Sequence, residues 1–197
     1  SSNVSRVRIP APRKGADYVI PIKPDYNNGD VTRIKHTKQT QDGDNVITQA
    51  TTIAQLPENA TPYQILDFFR EFQDGCETMG WSTGALKFAN IKQHLQGIHK
   101  ETWNESVEAV GDGRTDDDFD DARYIFLSET FEESRDYDIQ MDYLRSIKKP
   151  PEMSTKTFLQ YLRIANKQVN MIPGAPGDGG LTESELKRVF LQAMPKQ

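Results

Sequence analysis

The sequence predicts a mainly α-helical protein, with two small helical bundles and an N-terminal segment that carries a β-hairpin. Two observations predict the helices. Several stretches space apolar residues by three and four, and most of these stretches begin at residues that cap helices. A third observation predicts the hairpin, because two alternating stretches rich in Val, Ile and Thr flank the turn signal Asp-Gly. The expected domains are 1–57 (extended arm plus hairpin), 58–132 (first helical domain) and 133–197 (second helical domain).

The N-terminal segment divides into an arm and the hairpin. Arg6, Arg8, Arg13 and Lys14 lie among Ser, Pro and Gly, a composition typical of a basic arm or linker. Residues 17–22 form a short apolar run that Pro21 interrupts, which makes it a candidate edge strand. The two alternating stretches, 31–38 and 45–53, predict a hairpin over about 31–53.

Helix signals open the first helical domain. The first helix is predicted to begin at Thr61, the N-cap, followed by Pro62 in the first turn and Gln64 at the third position of a capping box. Gly80 ends the predicted helix. A second helix is capped by Thr83 or Ser82. Its apolar stripe stays in phase as far as Ile98, although Gly97 either breaks or bends it. The apolar residues of these helices and of a third, over 119–131, are Ile65, Phe68, Phe69, Phe72, Cys76, Met79, Phe88, Ile91, Leu95, Ile98, Trp103, Val107, Val110, Ala122, Ile125, Phe126 and Leu127.

Three helices are predicted in the second helical domain. Ser154 caps a helix after a Pro-Pro break, and Thr182 and Glu185 form a capping box that opens the last helix. The Pro- and Gly-rich stretch 173–180 between them supports neither helix nor strand. Because two helices are too few for a core, we expect a preceding helix to complete the unit. The apolar positions are Ile139, Tyr143, Ile147, Phe158, Leu162, Ala165, Val169, Leu186, Val189, Phe190 and Ala193.

Charge is distributed unevenly along a chain of net charge −5. Residues 112–142 carry twelve acidic and three basic side chains, whereas residues 143–197 carry nine basic and four acidic ones. An acidic total disfavours bare nucleic-acid binding, since neutralisation of phosphates dominates that affinity. Opposite charge in one chain favours head-to-tail association. The alternative is that these segments are simply solvated faces and loops.

The sequence offers little material for catalysis, metal binding or a cofactor. It contains no P-loop, GxGxxG, GxSxG or HExxH string. His94 and His99 are five residues apart, which does not place both on one helical face, and His36 is far away in sequence. The acidic run from Asp116 to Asp121 lacks the pattern of an EF-hand loop and is better explained as the N-terminal flank of a helix, with adventitious calcium binding as the alternative. We therefore expect no enzyme activity, metal, cofactor or membrane span, and a buried, unreactive Cys76.

From Tyr143 onwards the chain resembles a known family. The order and spacing of its residues is similar to the C-terminal half of the capsid region of Gag polyproteins from Gypsy- and Copia-class LTR retrotransposons. The resemblance continues more weakly back to about Thr61, through residues 85–97 and Trp103, and does not cover 1–57. The matching positions are Tyr143, Leu144, Arg145, Lys149, Pro150, Glu152, Met153, Ser154, Phe158, Leu162, Arg163, Asn166, Pro173, Gly174, Leu181, Thr182, Glu185, Phe190, Met194 and Pro195.

The resemblance implies a capsid-like pair of N- and C-terminal helical domains that assembles into a cytoplasmic, virus-like shell of pentamers and hexamers around retroelement RNA. RNA would be held by a region outside this chain or by the basic arm. In the family's major homology region an aromatic residue is buried and a Glu hydrogen-bonds an Arg. Here Phe158 and Leu162 are expected in the core. Lys148-Lys-Pro-Pro151 stands where the retroviral version has a Gln-Gly pair, so the sequence leaves open whether Glu152 pairs with Arg163. Candidate assembly contacts are Trp81, Trp103, Tyr143 and Arg145, with core packing as the alternative for both tryptophans.

Two other functions stay open at this point. One is a nucleic-acid-binding, nucleocapsid-like module, for which the basic arm is the best support. The other is a monomeric, domesticated Gag lobe that holds peptides in a helical groove and acts as an adaptor.

Overall fold

A computed structural model describes residues 31–111, 115–133, 135–176 and 179–196. The predicted basic arm and the candidate strand over 17–22 lie outside these residues. Within them the protein has seven α-helices and one two-stranded antiparallel sheet, so the predicted mainly α fold with a hairpin is confirmed. None of the described helices is both long enough and apolar enough to cross a membrane.

The elements follow one another as two strands and seven helices. The strands are β1 (Arg33–Asp42) and β2 (Asn45–Ala54), paired in the register Arg33↔Ala54 to Asp42↔Asn45. The helices are α1 (Pro62–Met79), α2 (Gly84–Ile91), α3 (Gly97–Val110), α4 (Asp116–Ser128), α5 (Arg135–Ser146), α6 (Thr155–Val169) and α7 (Glu183–Ala193), with a short 3-10 turn at Lys92–His94 after α2.

The chain forms two compact units, and their division differs from the expected one. The N-terminal unit contains the described residues up to Phe126, and the C-terminal unit contains those from Leu127 onwards. The expected boundary after Glu132 therefore falls inside the C-terminal unit. The hairpin belongs to the N-terminal unit rather than to a separate segment over 1–57, because β2 packs along α1. Ile53 of β2 and Leu56, two residues after the strand, are fully buried.

Local signals place most helix ends of the N-terminal unit. The capping box at Thr61 forms as predicted, with Gln64 N–H donating to Thr61 Oγ1 and Thr61 N–H donating to Gln64 Oε1. Gly80 ends α1 in the left-handed conformation (φ 70°). Thr83, not Ser82, caps α2. Gly43 takes a positive φ of 61° in the turn of the hairpin.

Two helices of this unit depart from the predicted bounds. The stripe that ran in phase from Phe88 to Ile98 is broken, because Leu95 is extended and Gly97 starts a new helix at φ 57°. The break lets the His94 carbonyl accept a hydrogen bond from Leu56 N–H at 2.8 Å. Helix α4 begins at Asp116 rather than Phe119, since Thr115 Oγ1 accepts from Asp118 N–H and the Asp118 carboxylate accepts from Thr115 N–H.

The C-terminal unit is built from α5, α6 and α7, each of which contacts the other two, as expected for a core that two helices could not form alone. Ser154 caps α6 by accepting from Thr157 N–H. At α7 only half of the predicted capping box forms. Thr182 Oγ1 accepts from Glu185 N–H at 3.2 Å, but the Glu185 carboxylate accepts from the Thr182 hydroxyl rather than from its N–H.

Candidate interaction surfaces

The root of the hairpin is fixed to α1 by polar and steric fit. Arg33 of β1 pairs with Glu71 of α1, and Glu71 Oε1 also accepts from Ala54 N–H of β2 at 3.1 Å. Burial raises the pKa of the Glu71 carboxyl, and the charge of Arg33 opposes that shift. Gly75 allows the close approach, because a Cβ there would lie 2.5 Å from Ile53 Cδ1. The hairpin is thus anchored at one end.

A pair of histidines makes the second attachment of the hairpin. His36 Nε2 of β1 lies 2.9 Å from His94 Nε2, and His94 Nδ1 lies 3.2 Å from the Ala54 carbonyl oxygen. Because a carbonyl only accepts, Nδ1 of His94 carries the proton, its Nε2 is the acceptor and His36 donates. His36 also meets Trp81 edge-on at 4.8 Å between ring centroids.

Both histidines of this pair are held in the neutral form. Burial, reinforced by the neighbouring His36, lowers the pKa of His94 to about 4, and His94 is fully buried. Burial also lowers the pKa of His36. A second proton on His94 would place two N–H groups against each other, so the hydrogen bond between His36 and His94 forms only when His94 is neutral.

A cavity of about 360 Å³ lies beside Trp81 in the N-terminal unit. Rings of Phe69, Phe72 and Phe119 give it an apolar floor, and Lys87 Nζ stands 5.9 Å above the centroid of Phe119. Arg123 also reaches this cavity, where burial lowers the pKa of its guanidinium while Asp120, 3.5 Å away, opposes that shift. The combination of aromatic floor and charged rim suits an amphipathic side chain.

The two tryptophans have different environments. Trp103 is 1% exposed and packs against Phe119 and Phe126 at 5.6 and 6.0 Å, so in this unit it is a core residue and not a surface contact. Trp81 is half-buried and lies between His36 and the cavity.

The segment that resembles the major homology region also contains both core residues and exposed residues. Phe158 and Leu162 are buried, and Phe158 stacks on Phe190 at 6.2 Å, which places both in the core as expected. Arg163 does not pair with Glu152. Its two terminal nitrogens lie 3.1 and 2.9 Å from the carboxylate of Glu183, and the pKa of Glu183 is lowered by that hydrogen bond. Glu152 is exposed.

The remaining candidate contacts lie on α5. Tyr143 is half-buried, and burial raises the pKa of its hydroxyl. Arg145 is exposed and lies 3.8 Å from Asp142 on the same helix. Arg145 is therefore accessible to a partner, and Tyr143 partly so.

Each unit presents a charged helix face. On α4 the exposed residues include Asp117, Asp120 and Asp121, with Tyr124 among them. On α7, Lys187 and Arg188 are exposed beside Leu191, which is 70% exposed, and the exposed Glu183 one turn before Lys187 is paired with Arg163. The charge contrast seen in the sequence is thus carried on accessible surfaces.

Asn166 holds the elbow between α6 and α7, which the sequence marks only as a Pro/Gly loop. Its amide donates to the Leu181 carbonyl at 2.9 Å and accepts from Leu181 N–H at 2.6 Å. Lys149 acts similarly before α6, donating to the carbonyls of Pro150 and Met153. The Asn166–Leu181 and His36–His94 contacts join residues far apart in sequence and therefore leave no signal in local spacing.

Titratable and nucleophilic groups are dispersed. Among the residues that the structure describes, no group of three or more His, Cys, Asp or Glu is arranged to hold a metal ion. Cys76 is a buried free thiol, and burial raises its pKa to about 12.

Comparison with protein-family models, with curated proteins and with solved structures finds no match for this chain.

Proposed function

We propose that this chain is a structural protein that associates with copies of itself, as the capsid region of a retrotransposon-type Gag polyprotein or a host protein derived from one. Its product would be a cytoplasmic, virus-like shell of pentamers and hexamers around retroelement RNA. The role is structural and involves no catalytic step. RNA would be held through a region outside this chain or through the basic arm Arg6–Lys14.

The observation that carries the proposal is the way the resembling segment folds. The positions from Tyr143 to Pro195 that are similar to the family lie within one three-helix unit. Phe158 and Leu162 lie in its core and Asn166 fastens its elbow. The matched positions therefore act together in one small unit, which supports a shared fold more than scattered matches would.

The charged faces support association between copies. Closed shells need several modest interfaces, and opposite charge on two faces sets the orientation in which copies meet. The acidic face of α4 and the basic face of α7 provide such a pair. By the resemblance, N-terminal units would form the oligomeric caps and C-terminal units would join neighbouring caps.

Electron microscopy of the purified chain across salt and protein concentration tests the proposal. Uniform particles are expected at low salt, with assembly weakened as the Debye length falls from about 10 Å at 0.1 M to about 3 Å at 1 M. A persistent monomer at all concentrations would refute it.

A charge exchange tests the orientation separately. Asp117→Lys with Asp121→Lys, or Lys187→Glu with Arg188→Glu, is expected to weaken assembly, and the combined variant is expected to restore it. Glu101→Lys with Glu105→Lys makes the same charge change on the exposed side of α3 and is the matched control. Equal losses in the control and the α4 variant would count against pairing of these faces.

A second candidate, a peptide-binding adaptor, is favoured by one observation, the cavity beside Trp81. Its volume of about 360 Å³ lies within the usual range of ligand sites. A monomer that binds an extended peptide, and loses it on Trp81→Ala, would support this function in place of shell formation.

A further inference from the structure

The outer half of β2 is an open strand edge. All residues from Asn45 to Ala50 are exposed, including Val46 at 61% and Ile47 at 48%. The sheet has two strands among the described residues, so no described strand lies on the side of β2 that faces away from β1. Such edges readily pair with another chain unless they are protected.

The ladder determines which backbone groups point outward. Gln55 N–H donates to the Thr32 carbonyl, one step beyond the paired residues Arg33 and Ala54. Because hydrogen-bonded and non-hydrogen-bonded pairs alternate in an antiparallel ladder, the N–H and C=O groups of every second residue from Ala54 towards the turn face outward. At the root these groups are occupied, since Ala54 bonds Glu71 and His94. Towards the turn, Val46, Thr48 and Ala50 present theirs to solvent.

Protection against pairing is present on β1 and missing on β2. Strand β1 carries Arg33, Lys35 and Lys38, and lysine on an edge is a common guard against association. Strand β2 has no charged residue, no proline and no glycine in its ten residues, and is rich in Thr, Val and Ile. Two β1 edges brought together would oppose lysines, whereas two β2 edges meet no like charge.

We propose that the hairpin is a self-association element in which β2 pairs antiparallel with β2 of a second copy around a two-fold axis at Thr48. This register opposes Thr48 to Thr48 and Val46 to Ala50, so that all three outward-facing residues of each copy are used. It forms about six interstrand hydrogen bonds and converts two two-stranded ribbons into a four-stranded sheet. The proposal names one interface of the self-association proposed above and rests on it.

Disulfide trapping tests the register. In a hydrogen-bonded antiparallel pair the Cα atoms are about 5.5 Å apart, within the range that a disulfide spans. Thr48→Cys in the full chain is therefore expected to form disulfide-linked dimers at least about tenfold faster than Gln39→Cys under mild oxidation. Gln39 is the matched control because it is the cross-strand partner of Thr48 and is equally exposed. Equal rates for the two variants would overturn the proposal.

A charge at the axis gives an independent test by sedimentation equilibrium. Thr48→Lys opposes two ammonium groups and is expected to raise the dissociation constant of the dimer by about tenfold or more, whereas Gln39→Lys changes it by less than about twofold. Amide protection of Val46, Thr48 and Ala50 in a strictly monomeric sample would also overturn the proposal, because the edge would then be covered within the chain.

The outcomes separate the two proposals. Particles that form without trapping at Thr48 would overturn the hairpin pairing and leave shell formation standing. Trapped dimers without particles would support the pairing and overturn the shell.

Discussion

Replacement of Phe158 by alanine is the most direct test of the C-terminal core. Phe158 is 0% exposed and stacks on Phe190 with ring centroids 6.2 Å apart. A buried Phe→Ala change costs about 3–5 kcal/mol through lost transfer energy and the cavity left behind. A unit of about 70 residues has a total stability of about 3–10 kcal/mol. The substitution is therefore expected to remove between about a third and all of that stability.

Hydrogen exchange of the full chain, followed by mass spectrometry, measures this loss locally. A loss of about 3 kcal/mol corresponds to exchange more than about a hundredfold faster in α6 and α7 peptides that open with the whole unit. Leu191→Ala is the control, since Leu191 is 70% exposed and the change is expected to cost less than about 0.5 kcal/mol. A loss below about 1 kcal/mol for Phe158→Ala would refute the assignment of this residue to the core.

Three further predictions concern the contacts that hold each unit together. The pKa of His94 is about 4 when folded and about 6.5 when unfolded, so the unfolded state binds more protons between these pH values, and stability is complete above pH 6.5 but falls by about 2 kcal/mol at pH 5. Urea unfolding followed by tryptophan fluorescence measures this pH dependence, which is expected to be mostly lost in His94→Gln. An unchanged dependence of stability on pH in that variant would contradict the prediction. Gly75→Ala would stabilise an ordinary helix, but here it is expected to destabilise the protein by about 1–3 kcal/mol because the new Cβ collides with Ile53. Thermal melting of Gly75→Ala and of the double variant Gly75→Ala with Ile53→Val checks the cause, since Ile53→Val should recover part of the loss. Asn166→Ala is expected to cost about 1–3 kcal/mol by leaving the N–H and C=O of Leu181 unpaired, and Asn166→Asp, which keeps the acceptor, should cost less in the same denaturation assay.

Features encoded within three or four residues could be predicted from the sequence. The capping box at Thr61, the end of α1 at Gly80, the cap at Ser154 and the hairpin turn at Gly43 all formed, because their hydrogen bonds or dihedral angles depend on immediate neighbours. The burial of Phe158 followed from periodicity and resemblance together.

Features that depend on distant partners could not be predicted. The sequence left open whether Gly97 breaks or bends the stripe from Phe88 to Ile98, because the contacts of His94 with Leu56 and Ala54 that accompany the break come from far along the chain. Arg163 forms an ion pair with Glu183 on the next helix, a partner that the family pattern does not specify.

The hairpin also has a practical consequence for protein engineering. Its root is attached to α1, whereas Gly43 and Asp44 in the turn are exposed, and an added Cβ at Gly43 would meet open space. A short peptide spliced between these two positions would therefore be displayed without disturbing the aromatic core. The same loop offers a place for a fluorophore or an epitope that reports on the chain while its helices remain intact.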